Sequence, residues 1–245
     1  MQMENISIHG TGHFGFSGVT PGDLPNDEYT LVVLADDVSP STAHLRDDSC
    51  KVKQQIIQSC RKSPRSENLL LRLTHFGSKI KETHGYKPLS EIDENQYVPE
   101  KTIGHSTKLY DATFDAVSSV LEYSTRLYEQ NDITSNAIVF VITDGMDIDS
   151  AMGPDSIKKL LKDSRIGEKI ESIIVVLIGI FTTADAQQID VYLQDFKKEA
   201  GLDQYVSAGD ATPQKLAKLA NFVSQSISSQ SQALGSGGPS QLLTF

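Results

Sequence analysis

The hydrophobic residues of this chain fall into two kinds of pattern that alternate along most of its length. One kind is a short, near-continuous run of Ile and Val, found at 136–143 and 171–180. Strands that are buried on both faces of a parallel sheet require such runs, so we predict central strands there. The other kind is a stripe with helical spacing, clearest at 109–128, which predicts a helix that packs on the sheet.

The remaining elements follow from the same periodicities. We predict further strands at 29–35, at 68–76 with a short hairpin-like partner beyond Gly77, and at 205–207, and further helices at 42–60, 154–162, 184–200 and 213–229. The polar stretch 91–105 is predicted to be a loop. This alternation of strand and helix predicts an α/β fold with a doubly wound, mostly parallel sheet, helices on both faces and one short antiparallel edge strand.

Composition at the two ends differs from that of the centre. Residues 1–28 are rich in Gly, Pro and aromatic residues, which predicts an extended N-terminal arm that leads into a domain at 29–230. Residues 231–245 are predicted to be a C-terminal tail, because Ser, Gln and Gly dominate there and 235–239 cannot continue a helix. The tail ends in the apolar sequence Leu-Leu-Thr-Phe. It either clasps its own domain or acts as a docking peptide for another protein.

Charge and hydropathy exclude several classes of function. The 22 basic and 32 acidic residues leave a formal net charge of −10, which opposes binding to nucleic acids and to anionic lipid surfaces. The longest apolar run, 173–181, is far shorter than the roughly 20 residues of a membrane-spanning helix, and the first residues do not have the pattern of a signal peptide. Cys50 and Cys60 do not have the number or spacing of a disulfide framework. We therefore expect a cytoplasmic protein with reduced thiols.

Oxygen-bearing side chains follow the strands of the predicted sheet at three separate places. Asp37, Ser39 and Ser41 come directly after the first core strand, Thr107 precedes the helix at 109–128, and Asp144 ends a central strand. Ligands of open α/β sheets bind beyond the carboxyl ends of the strands, where these loops meet. Hydroxyl and carboxylate oxygens suit a hard cation such as Mg²⁺. The sequence therefore predicts a metal site at this edge.

This set of residues resembles the metal-ion-dependent adhesion site of von Willebrand factor A (VWA) domains, whose pattern is Asp-x-Ser-x-Ser, then a separate Thr, then an Asp. The resemblance extends over about 29–230. It implies that Ser39, Ser41 and Thr107 contact the ion, and that Asp37 and Asp144 bind it directly or through water. The ion implied is Mg²⁺, with Mn²⁺ or Ca²⁺ as alternatives. An Asp or Glu carboxylate of a protein partner would complete the shell.

The chain departs from the VWA pattern at two positions. Pro40 stands where many members have Gly, which could shift Ser41, and His105-Ser106 precede the Thr where a Gly is frequent. Asp36 is interpreted as a solvated loop charge. The chain also resembles a narrower group, the small single-domain bacterial proteins linked to tellurium resistance and stress operons. This resemblance depends on the sequence 109–112 together with the arm and the tail.

Other functions fit the sequence less well than metal-dependent protein binding. The Gly-x-Gly-x-x-Gly sequence at 10–15 lacks the following helix of a dinucleotide site. A phosphate-ester hydrolase acting in the same crevice is an alternative, although Ser39 stands where a phosphatase needs its acid. A scaffold that acts through its termini is another. The six histidines lack ligand spacing and are expected to be solvated or to cap helices, with His105 alone near the site. The leading hypothesis is a non-enzymatic, metal-dependent protein-binding module.

Overall fold

The computed structural model describes residues 1–8, 14–164, 169–181, 185–209 and 212–245. One eight-stranded sheet forms the centre of this described part, in the order β1-β2-β5-β4-β3-β6-β7-β8. The strands are β1 (Met3–Ser7), β2 (Gly15–Val19), β3 (Glu28–Asp37), β4 (Leu69–Phe76), β5 (Ile80–Pro88), β6 (Thr134–Thr143), β7 (Ile173–Ile180) and β8 (Gln204–Gly209). Strands β4, β3, β6, β7 and β8 run parallel, and β5 is antiparallel to β4.

Helices cover both faces of the sheet. They are α1 (Arg46–Cys60), α2 (Leu109–Asn131), α3 (Pro154–Ser164), α4 (Ala186–Glu199) and α5 (Pro213–Ser236). Successive residues of β3 point to opposite faces: Leu31 and Val33 pack in the cluster with α2, α3 and α4, whereas Val32 and Leu34 pack in the cluster with α1 and α5. The predicted fold class, an α/β sandwich with a mostly parallel, doubly wound sheet, is therefore confirmed.

The segment predicted as an extended arm contributes a hairpin to the sheet. Strands β1 and β2 pair antiparallel, and β2 continues the sheet beyond β5 through the pair Gly18 and Tyr86. The antiparallel strand β5 is therefore not at the edge. Its Gly85 permits this junction, because a side chain at that position would collide with the backbone of Ser17. The Gly-x-Gly-x-x-Gly sequence at 10–15, which was rejected as a dinucleotide site, lies largely outside the described residues.

A buried arginine joins this hairpin to the core. The side chain of Arg72 is only 1% exposed. Its Nη1 atom donates to Asp115 Oδ2 at 2.7 Å and to Ser119 Oγ at 3.1 Å, and its Nε atom donates to Glu82 Oε2 at 2.7 Å. Glu82 in turn accepts from the backbone N–H of Ser17 at 3.0 Å. One network of charges thus connects β4, β5, α2 and the N-terminal hairpin.

The C-terminal tail packs on its own domain. Helix α5 continues to Ser236, past the predicted end at 229, and stops at Gly237, whose φ is 64°. Beyond it, the Gln204 side chain donates to the Leu243 carbonyl at 2.8 Å, and the ring of Phe245 lies 5.6 Å from that of Phe222. These contacts correspond to the clasp that was one of the two interpretations of the tail.

Two further features of the helices bear on the sequence analysis. Cys50 and Cys60, both in α1, are buried and free. Among the described residues, no helix has both the length and the apolar character that crossing a membrane requires.

Two histidines differ from the solvated ones expected. His75 is buried and shares a hydrogen bond of 2.8 Å with Thr83, and His84 is partly buried.

His84 should make the stability of the fold depend on pH. Its Nε2 atom lies 2.6 Å from the Tyr97 hydroxyl, and burial lowers the pKa of His84 to about 4. In the unfolded chain, His84 has a pKa near 6.5. Between pH 6.5 and pH 4 it is therefore protonated in the unfolded chain but not in the folded chain. Acidification through this window therefore favours unfolding, and we expect His84 to contribute a loss on the order of 2–3 kcal/mol.

Urea unfolding at several pH values between 4.5 and 7.5, in EDTA, measures this effect. The variant His84→Gln should flatten the dependence of the unfolding free energy on pH. The variant His105→Gln, at an exposed histidine, is the matched control for the loss of one imidazole. Parallel curves for wild type and His84→Gln would contradict the assignment.

Candidate metal site

The carboxyl ends of β3 and β6 place the predicted ligand Asp37 beside Thr143. The strands are parallel neighbours and pair Asp36 with Ile142, so Asp37 and Thr143 end side by side. The Thr143 hydroxyl donates to Asp37 Oδ2 at 2.6 Å, and the backbone N–H of Ser39 donates to Asp37 Oδ1 at 2.8 Å. Both oxygens of this buried carboxylate therefore have protein partners.

The two serine hydroxyls connect β3 to the loop after β6. Ser39 Oγ lies 3.0 Å from Ser41 Oγ, and Ser41 Oγ donates to Asp144 Oδ1 at 2.8 Å. Residues Pro40–Leu45 form a short 3₁₀ helix, and the proline at its start leaves Ser41 within reach of Asp144. Four of the predicted ligands, Asp37, Ser39, Ser41 and Asp144, thus belong to one hydrogen-bonded set.

The loop that carries Thr107 lies between the other two. The N–H of Ile103 donates to the Val38 carbonyl at 3.1 Å, and the N–H of Ile148 donates to the Thr107 carbonyl at 2.6 Å. At its start, the loop packs on Gly77, where any side chain would collide with the Ile103 carbonyl. Thr107 is buried, but within the described part of the chain its hydroxyl forms no hydrogen bond with the other four predicted ligands.

The electrostatics of the site favour a bound cation. Burial raises the pKa of Asp37 to about 6, against the hydrogen bonds from Thr143 and Ser39, and the nearby charge of Asp144 raises it further. Burial also raises the pKa of Asp144. Asp144 Oδ2 is buried and has no hydrogen-bond partner among the described residues. A buried carboxylate oxygen without a partner is costly, and a cation would satisfy it.

The donor set fits a hard divalent ion. Carboxylates and hydroxyls are the ligands that Mg²⁺ and Ca²⁺ prefer. Nowhere in the described chain is a group of three or more His, Cys, Asp or Glu side chains arranged to hold a metal, so this candidate site depends on two carboxylates together with hydroxyls. Because both Asp37 oxygens already accept hydrogen bonds, Asp37 suits contact through water, whereas Asp144 has an oxygen free for the ion.

Three further residues, none of them predicted to belong to the site, support it. Thr143 orients Asp37, as described above. The Thr42 hydroxyl donates to the carbonyl of Asp37 at 3.0 Å, and the Arg46 guanidinium donates to the same oxygen at 3.1 Å. The role of Thr143 can be predicted once the register of β3 and β6 is known, because that register places Thr143 beside Asp37. Nothing in the sequence singles out Arg46.

The interpretation of Asp36 as a solvated charge is wrong. Asp36 is 4% exposed, faces α1, accepts from Ser49 Oγ at 2.8 Å and forms an ion pair with the buried Lys53. Lys53 therefore neutralises the charge of Asp36, on the face of β3 opposite to Asp37. His105 is exposed near the site.

No family model and no curated protein matches the chain. Among solved structures, the PilB minor pilin of Streptococcus sanguinis (D319A mutant) aligns with a TM-score of 0.57 and 15% identity over 86% of this chain. The open conformation of the pilus adhesin SpaC of Lactobacillus rhamnosus GG aligns at 0.55 with 12% identity over 83%. Proximal thread matrix protein 1 of the mussel byssus, with a zinc-occupied adhesion-site motif, aligns at 0.51 with 14% identity over 82%.

The fold is that of a VWA domain. Identities this low show the fold alone, and the topology of the sheet and helices agrees with it. The chain spans 64%, 30% and 46% of the three matched chains, respectively, so each of those proteins is considerably longer than this chain.

Proposed function

We propose that this VWA domain is a non-enzymatic, metal-dependent protein-binding module. Mg²⁺ binds at Asp37, Ser39, Ser41, Thr107 and Asp144, and an Asp or Glu of a partner protein completes its shell. The observation that carries the proposal is the hydrogen-bonded set across two strand ends, in which one buried oxygen of Asp144 has no partner among the described residues. The zinc-occupied adhesion-site motif in the mussel byssus protein supports metal binding by this fold.

The proposed ligands have different roles in binding the ion. Asp37 is held by Thr143 and by the N–H of Ser39, so it contributes its charge through water. The hydroxyls of Ser39 and Ser41 and the free oxygen of Asp144 are available as direct ligands. When bound, the ion would supply an electrophilic position for an incoming carboxylate, because neutral hydroxyls leave much of its charge uncompensated.

The biological setting is part of the same proposal. We propose a bacterial, cytoplasmic role in stress response or tellurium resistance, based on the likeness of the sequence 109–112 together with the N-terminal arm and the C-terminal tail. The buried free thiols of Cys50 and Cys60 are compatible with a reducing compartment. No catalytic step is proposed, since Ser39 occupies the position at which a phosphatase would need a carboxylic acid.

Retention of partners on the immobilised protein tests this function. Extract of the native host is passed over wild type and over Ser41→Ala, in Mg²⁺ and in EDTA. A further arm adds sodium acetate, with sodium chloride at the same ionic strength as its control. We expect a partner that wild type retains in Mg²⁺ only, that acetate displaces and chloride does not, and that Ser41→Ala retains poorly. Acetate matters because it is a carboxylate that competes for the open position.

Two results would count against the proposal. Retention that is the same in EDTA and in Mg²⁺ would mean that the surface binds proteins without the ion. Metal-dependent release of phosphate from an aryl phosphate, abolished by Asp37→Asn, would instead indicate a hydrolase.

A further inference from the structure

Arg46 holds the loop that carries three of the metal ligands. It is the first residue of α1 and is partly buried. Its Nη2 atom donates to the Ser39 carbonyl at 2.8 Å, and its Nη1 atom donates to the Asp37 carbonyl at 3.1 Å and to the Thr42 hydroxyl at 2.6 Å. A single planar guanidinium therefore spans the chain from Asp37 to Thr42.

The same guanidinium also reaches the second ligand loop. Its Nη2 atom lies 3.4 Å from Thr102 Oγ1, a weak contact on the loop that leads to Thr107. Both Nη atoms, which carry four of the five N–H groups of Arg46, are therefore directed at oxygens of the protein rather than at a partner carboxylate. A lysine could not replace it, since an ammonium lacks the planar fork that contacts two carbonyls at once.

We propose that Arg46 is a positioning residue that keeps the ligand loop rigid and thereby selects Mg²⁺ over Ca²⁺. The inference rests on the metal site of the proposed function. Mg²⁺ requires near-ideal octahedral geometry at short distances, whereas Ca²⁺ tolerates longer and irregular arrangements. Loosening the loop therefore costs Mg²⁺ more than Ca²⁺. The positive charge of Arg46 acts equally on both ions, so its effect cancels in the ratio of their affinities.

Calorimetric titration of the full chain with MgCl₂, and separately with CaCl₂, tests this. The variants are Arg46→Lys, which keeps the charge without the fork, and Arg46→Met, which loses both. Lys51→Met is the matched control, because Lys51 is an exposed cation of the same helix that pairs only with Asp48 in the described chain. We expect Arg46→Lys to lose roughly tenfold in Mg²⁺ affinity and less than about threefold in Ca²⁺ affinity. Lys51→Met should leave the ratio unchanged.

The outcomes separate this inference from the proposed function. A ratio of Ca²⁺ to Mg²⁺ affinity that is the same in Arg46→Lys and wild type overturns the positioning role, while the metal site stands. Failure of wild type to bind either ion overturns both. Melting of each variant in EDTA reports folding, and Arg46→Lys alone decides the question if Arg46→Met does not fold. A mere loss of stability would lower both affinities together and leave the ratio constant.

Discussion

Replacing Arg72 by methionine is expected to lower the free energy of unfolding by about 3–5 kcal/mol, the cost of breaking a buried ion pair by removing one partner. The side chain of Asp115, which is 2% exposed, would lose its cationic partner, and Glu82 would lose a hydrogen bond at the junction with the N-terminal hairpin. The hairpin should loosen first, because Glu82 is the group that accepts from Ser17.

Urea unfolding at neutral pH measures this loss, and two variants serve as controls. Arg126→Met removes an arginine of α2 that pairs with Glu4 and Glu122 near the surface, where we expect less than about 1 kcal/mol. The double variant Arg72→Met with Asp115→Leu removes both buried charges and should recover much of the loss. Equal costs for Arg72→Met and Arg126→Met would refute the importance of the buried network.

The second large effect concerns Asp144→Ala, which should abolish the stabilisation by Mg²⁺. If the ion binds only the folded chain, Mg²⁺ at a hundred times its dissociation constant stabilises wild type by about 2.7 kcal/mol. Removal of the carboxylate that has a free buried oxygen should weaken binding by on the order of 100-fold or more, and the shift in melting temperature should disappear.

The same variant has an opposite effect without metal. In EDTA, Asp144 is a buried carboxylate beside Asp37, and burial raises the pKa of both. Its replacement by alanine removes that unfavourable burial, so we expect the metal-free variant to be at least as stable as metal-free wild type. Thermal melting in Mg²⁺ and in EDTA measures both effects, with Asp155→Ala, at an exposed position, as the control. Identical melting curves of wild type in the two buffers would rule out a useful metal site.

Most strands and helices of the fold could be predicted from local patterns of hydrophobic residues. The central strands β6 and β7 are runs of Ile and Val because both their faces are buried, and the stripe of α2 faces the sheet. The hairpin β1–β2 was missed because its strands are short and the glycines of β2, Gly15 and Gly18, weaken the periodic signal. Its pairing depends on the close approach of Gly85 to Ser17, which is a contact between distant parts of the chain.

For the candidate site, local sequence was enough to predict four residues that the structure brings into one hydrogen-bonded set, Asp37, Ser39, Ser41 and Asp144, but not to describe their environment. An Asp-x-Ser-x-Ser loop after a strand, a Thr before a helix and an Asp after a second strand determine which oxygens can meet at one sheet edge. Burial of Asp36 against Lys53 and the contacts of Arg46 with two carbonyls depend on how α1 packs on the sheet. The periodicity of the chain encodes the elements, but the charges that surround a site are set by neighbours far away in sequence.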